Sequence, residues 1–265
     1  MTINRTIKGN LRPQSSGNFN PNEFIENYEA VYLKDSNRSG FKIKKTFAPS
    51  KLGWDKGEGV CPRYWYIAFS GANFVEEIDS RSQANMDNGT YSHERIQKNI
   101  EKMGILLEKE LEIVSEDPPI RGFVDVVVDW NGQRVPGEIK TANDSSFTFR
   151  VTTGKPSGSH YVQFIIYLKA LKAKEGFLLY ENKDTQELAI IRVTANEKTV
   201  KDANDLFDWM RMVRKAWEDG ELPEKPWTRK NPAICKKCPV REDCYDPEKF
   251  GDGVINIPIL EVPKP

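Results

Sequence analysis

Apolar side chains recur at three- and four-residue intervals at Ile96, Ile100, Met103 and Leu107. That spacing stacks them on one face of a helix and predicts a helical segment over 83–110. The period then changes. Residues 122–130, Gly-Phe-Val-Asp-Val-Val-Val-Asp-Trp, are β-branched and aromatic and read as a strand. Asn131-Gly132 is the dipeptide favoured by a two-residue hairpin turn, and residues 133–140 supply the return strand. Pro136 has no amide hydrogen, so the return strand is expected to have an unpaired edge or a bulge there. Further on, the pattern predicts a helix over 159–173 and short strands over 176–180 and 188–193 around the turn-like Asn182-Lys183-Asp184. A longer helix is predicted over 196–219. Helices alternating with strands make the fold class mixed α/β.

Charge narrows the function classes. Over 265 residues, 39 Lys and Arg balance 39 Asp and Glu, which excludes a uniformly basic histone-like binder but allows a local basic patch. No run approaches the ~20 apolar residues of a membrane helix. The polar start, Met1 to Phe19, lacks the apolar core of a signal peptide. The expectation is a cytoplasmic protein with no membrane partner and with thiols kept reduced. Residues 1–22, rich in Asn, Ser, Gly and Pro, are expected to be a loose arm.

The hairpin carries the candidate chemistry. Side chains alternate faces, so Phe123, Asp125, Val127 and Asp129 share one face. Val124, Val126, Val128 and Trp130 share the other, a core face. A turn at Asn131-Gly132 sets Trp130 opposite Gln133 and, counting back, Asp125 opposite Glu138, with Lys140 on the same surface. Two adjacent carboxylates repel, and one tends to keep its proton. A hard divalent cation removes that penalty and takes oxygen ligands. A lysine beside them can orient a water, and metal, water and lysine together suit attack on a phosphodiester.

Gly122-x-x-Asp125 followed by Gly137-Glu138-Ile139-Lys140-Thr141 resembles the PD-(D/E)XK nuclease signature. Gln163-Phe164-Ile165-Ile166-Tyr167 is similar to the Gln-x-x-x-Tyr motif of the RecB-like branch, with His160 one turn earlier on the same side. Gly89-Thr90-Tyr91-Ser92-His93-Glu94 resembles the place where that branch carries a histidine ligand. The resemblance spans about 54–250. It implies a restriction-endonuclease-like core, a central mixed sheet flanked by helices. It also implies Mg²⁺ or Mn²⁺ held by His93, Asp125, Glu138 and the Ile139 carbonyl, with Lys140 orienting the attacking water. Gln163 and Tyr167 would position the strand, Tyr167 by stacking on a base or donating to a phosphate. Arg63 and His160 are further DNA-contact candidates, with Arg150 and Lys155. Residues 225–241 carry Lys225, Arg229, Lys230, Lys236, Lys237 and Arg241 around Trp227, a candidate basic surface with an aromatic platform.

Cys235-x-x-Cys238 and Cys244 lie near the C-terminus, and Cys61 lies far upstream. Four thiolates can close a tetrahedral zinc site or hold an iron–sulfur cluster, and spacing does not separate the two. One cysteine before the nuclease motifs and three after them is similar to the iron-staple nucleases. Those include the nuclease subunit of AddAB-type repair complexes, the CRISPR-associated exonucleases and their phage-borne relatives. That resemblance implies a 4Fe–4S cluster, with zinc the less favoured occupant. The domain plan is then an arm over 1–22, one nuclease domain over 23–250 including the cysteine region, and a tail over 251–265.

The implied activity is a metal-dependent DNA exonuclease acting on single strands or DNA ends, in repair, recombination, phage DNA processing or CRISPR adaptation. No Gly-x-x-x-x-Gly-Lys-Ser/Thr loop is present, so unwinding is expected to come from a helicase- or integrase-type partner, and a homo-oligomer is also compatible. The alternatives are a DNA-end-binding module that does not cut, and a structural zinc protein with incidental hairpin acids.

Overall fold

Asn131 and Gly132 both take positive φ, 54° and 78°, the conformation a tight two-residue hairpin demands. The register that follows runs from Trp130 opposite Gln133 to Val126 opposite Gly137. In the computed structural model, which describes residues 19–33, 38–76, 78–227 and 233–265, this hairpin forms the middle of a five-stranded sheet. Most of the predicted arm, and Arg229 and Lys230 of the basic segment, lie outside the described residues.

The sheet strands are β3 (Leu106–Ser115), β4 (Ile120–Trp130), β5 (Gln133–Ala142), β6 (Glu175–Asn182) and β7 (Leu188–Thr194), side by side in that order. Neighbours are antiparallel except β5 and β6, which are parallel. Strand β6 joins β5 only from Gly137 onward, so Pro136 sits where that edge is unpaired. The long helices are α1 (Pro21–Leu33), α4 (Ser80–Lys102), α5 (Asp144–Thr153), α6 (Gly158–Leu171) and α7 (Glu197–Glu218). Shorter ones are α2 (Pro49–Leu52), α3 (Pro62–Ser70), α8 (Ala233–Lys236) and α9 (Arg241–Tyr245), and β1 (Gly40–Lys42) pairs with β2 (Ala72–Phe74) apart from the main sheet. Among the described residues no helix is long and apolar enough to cross a membrane.

Two expectations change. The helix predicted over 83–110 ends at Lys102, Gly104 turns the chain with φ 73°, and β3 follows. Met103 and Leu107 continue the helical spacing only by accident. Leu106–Ser115 carries Glu108, Lys109, Glu110 and Glu112 among its apolar residues, as suits an edge strand, where charge discourages further pairing. The valines of β4 also do not share one face. Val124 and Val127 belong to the main core with α3, α6 and α7, whereas Val126 and Val128 join Ile139, Leu179, Ile96 and Ile100 in a smaller core under α4. Alternation slips at Asp125, and Trp130, expected in the core, is 58% exposed.

The cysteine region is tied to the domain by Arg63, which is only 1% exposed. Its guanidinium donates to the carbonyls of Pro223 (2.7 Å), Gly251 (2.6 Å) and Cys244 (3.5 Å) and to Cys244 Sγ (3.3 Å). It is therefore removed from any DNA surface, which corrects its reading as a phosphate contact. The 251–265 segment packs onto the domain. Ile257 and Leu260 enter the core, Leu260 N donates to Val60 O (2.9 Å) and Trp209 Nε1 donates to Pro258 O (2.8 Å). Arg63→Lys, which keeps the charge but loses the fork, is expected to lower unfolding stability by about 2–4 kcal/mol in metal-free protein, read from the urea midpoint. An unchanged midpoint would remove the guanidinium as the tie.

Candidate active site

Asp125 lies one residue beyond the last ladder pair of the β4–β5 hairpin. There its Oδ2 accepts from Ile139 N (2.7 Å), so a side-chain carboxylate replaces the main-chain acceptor the strand would otherwise supply. Gln97 of α4 donates to the Asp125 carbonyl (3.0 Å) and to Glu110 Oε1 (2.6 Å), fixing the same residue from behind. Gln97 falls four residues after His93, on the same helix face, a spacing that could have marked it in the sequence although no motif included it.

Glu138 is 1% exposed and projects beside Asp125. Its Oε2 accepts from Lys140 Nζ (2.7 Å) and from Gln163 Nε2 (3.2 Å). Its Oε1 is buried with no hydrogen-bond partner. Burial, and then the charge of Asp125, push the Glu138 carboxyl up to about 8 against the pull of Lys140. His93 Nδ1 stands 3.5 Å from Asp125 Oδ1. Burial alone would lower the imidazole, but hydrogen bonding to and the charge of Asp125 outweigh it and raise the pKa above its ordinary value. Asp125, Glu138, Ile139, Lys140, His93 and Gln163 thus come together. An orphaned carboxylate oxygen beside a second carboxylate and an imidazole is a donor set that suits a hard divalent cation. Among the described residues, no three or more His, Cys, Asp or Glu side chains are closed round one point as a ready-made metal cage.

Tyr167 is placed differently from the expectation. It is 2% exposed, so it cannot stack on a base, and Gln163 Nε2 donates to its hydroxyl (3.3 Å). A Cβ at Gly122 would fall 2.7 Å from that hydroxyl, which ties the glycine of Gly122-x-x-Asp125 to the Gln-x-x-x-Tyr motif by close packing. Burial pushes the phenol up, and it stays protonated. His160 lies next to this group. Its Nδ1 meets the Tyr180 hydroxyl at 2.8 Å, and Ser157 N donates to that hydroxyl at 3.2 Å. The imidazole and the phenol thus share one hydrogen bond whose donor is set by the histidine tautomer. Burial, followed by Lys140 and Arg150, pushes His160 down to about 3, so the ring is neutral. The Arg150 guanidinium lies 5.4 Å from the Tyr180 ring centre.

Cys61, Cys235, Cys238 and Cys244 line one cavity with about 20 Å³ of free space, alongside Arg63, Tyr64, Trp227 and Tyr245. Burial pushes Cys61 up to about 12 and raises Cys235 and Cys238, so without a cation these sulfurs hold their protons.

Residues 92–245 match the PD-(D/E)XK nuclease superfamily. Among solved structures, an alkaline exonuclease (LHK-Exo) from Laribacter hongkongensis is similar at 15% identity and TM-score 0.47, over 73% of this chain and 95% of that one. LHK-Exo in complex with dAMP is similar at 16% identity and TM-score 0.45, over 74% and 93% of the two chains. SSO0001 is similar at 16% identity and TM-score 0.39, over 76% and 86%.

The buried Glu138 has a stability consequence. Its folded-state pKa of about 8 lies above the ordinary 4.5, so the folded chain binds the extra proton between those values, and stability falls as pH rises through that window. In EDTA, Glu138→Gln is expected to melt higher than wild type, with a gap that widens from pH 5 to pH 8. A gap that narrows with rising pH would contradict the burial argument.

Proposed function

The chain belongs to the PD-(D/E)XK nuclease superfamily, and on that premise we propose that it is a metal-dependent DNA exonuclease of the RecB-like type. The observation that carries the reading is the buried, unpartnered Glu138 Oε1 beside Asp125, with Lys140 bound to the other oxygen of the same carboxylate. Such an arrangement is unfavourable in an inert hairpin and favourable where a cation is to be received. His93, Asp125, Glu138 and the Ile139 carbonyl would hold Mg²⁺ or Mn²⁺. When bound, that ion polarises phosphate and lowers the pKa of water.

The chain's own groups do the rest. Lys140 orients the attacking water and offsets the charge that develops on the phosphate. Gln163 holds Glu138 in its rotamer. His160, held neutral by burial, is a hydrogen-bonding contact for the strand and not a base. Single strands and free DNA ends are the proposed substrates, and repair, recombination, phage DNA processing and CRISPR adaptation the proposed settings. A homo-oligomer or a helicase- or integrase-type partner fits the same RecB-like reading. With Mn²⁺ and end-labelled single-stranded DNA, wild type is expected to degrade the label. Lys140→Ala should lose at least ~100-fold in rate while keeping its native circular dichroism spectrum. Binding without cleavage by wild type would move the reading to an end-binding module.

The four cysteines are proposed to tie the ends of the domain through a 4Fe–4S cluster, supported by the convergence of all four on one cavity. The small free volume of that cavity favours a second reading, a single zinc ion. Protein purified without oxygen is expected to contain iron and acid-labile sulfide and to absorb in the visible, and Cys61→Ser to lose both. Colourless protein with stoichiometric zinc would establish the second reading.

A further inference from the structure

The connection from α2 to α3 carries a tryptophan that none of the motifs includes. Trp54 is 51% exposed, although large aromatic side chains are ordinarily among the most buried. The loop holding it is pinned from several sides. Gly53 lies so close to the main chain of Ser159 that a Cβ would fall 2.4 Å from its Cα. Residues 54–57 form a turn in which Gly57 N donates to Trp54 O (2.9 Å). Gly57 lies directly against the six-membered ring of Trp54, where a Cβ would come within 2.6 Å of Cε3. The indole is thus braced by its own turn on one side and open on another.

The location follows from a short chain of contacts. Gly53 touches Ser159, the next residue His160 meets Tyr180, and Tyr180 is the parallel-sheet partner of Lys140. Trp54 therefore follows directly on a residue packed against the α6 N-terminus that carries His160. An open aromatic ring held by its own turn matches what a flexible strand needs. Every nucleobase offers a π-face, and stacking requires no sequence readout. Because the brace is already formed, the ring loses little freedom on binding.

We propose that Trp54 is a stacking platform for one nucleobase of a single DNA strand whose phosphate lies at Lys140 and Glu138. This rests on the nuclease reading for the position of the phosphate, but the stacking is tested without cleavage. The experiment is anisotropy of a labelled 12-mer oligodeoxythymidylate with Ca²⁺ in place of Mn²⁺. It compares wild type, Trp54→Ala and Trp54→Phe, each checked for an unchanged thermal midpoint. Trp54→Ala is expected to bind about tenfold more weakly, and Trp54→Phe to recover most of the loss. A series of 12-mers each carrying one abasic site supplies a readout that a structural role would not move. One position should weaken wild type by a similar factor and leave Trp54→Ala unaffected. Equal binding by wild type and Trp54→Ala overturns the platform, whether or not wild type cleaves. Binding that depends on Trp54 in a wild type that does not cleave overturns the nuclease reading and keeps the platform.

Discussion

The hydrogen bond from Ile139 N to Asp125 Oδ2 holds the centre of this molecule in its working shape. It forms where the β4–β5 ladder stops and keeps the two strands together past that point. Because the carboxylate faces the neighbouring strand, alternation in β4 slips, and Val124 and Val126 serve different cores. The same residue has its carbonyl held by Gln97, so α4 is locked against the sheet at the place that also brings in His93. Strand divergence, helix placement and carboxylate position are one arrangement.

The electrostatics of the pocket work against the isolated fold. Glu138 is held in a nearly dry place, with one oxygen satisfied twice and the other left bare. Lys140 offsets part of the desolvation and none of the bareness. Tyr167 and Gly122 close the wall behind it. Local conflict of this kind, surrounded by consistent packing, is where sequence patterns fail and function concentrates.

The turn and the register from Trp130–Gln133 to Val126–Gly137 were legible from Asn131-Gly132, whereas the slip of alternation at Asp125, beyond the last ladder pair, was not. Gln163 and Tyr167 were legible only as a motif. Sequence spacing places them on one helix face but does not say how deeply that face is buried, and burial turns Tyr167 from a base contact into a packing element. Arg63 misleads for a related reason, since an arginine beside a cysteine reads as surface until the carbonyls of Pro223 and Gly251 are brought to it. β3 was hidden by its charges, which mimic a solvent-facing helix. Trp54 carried no pattern signal at all, because its exposure depends on contacts with Gly57 and its placement on those of Gly53 with α6.

The C-terminal segment gives the chain an order of completion. Val60 and Arg63 reach their partners only when residues 223–260 arrive, so contacts of very long sequence separation close the domain. Pairings of that kind form late and slow folding. The α3 face meets Phe47 from upstream, through Trp65 and Phe69, and waits for Trp217 of α7 to cover Phe69 from the other side. A domain closed by such contacts keeps part of its apolar surface open until both ends meet, and until then it depends on whatever shields that surface.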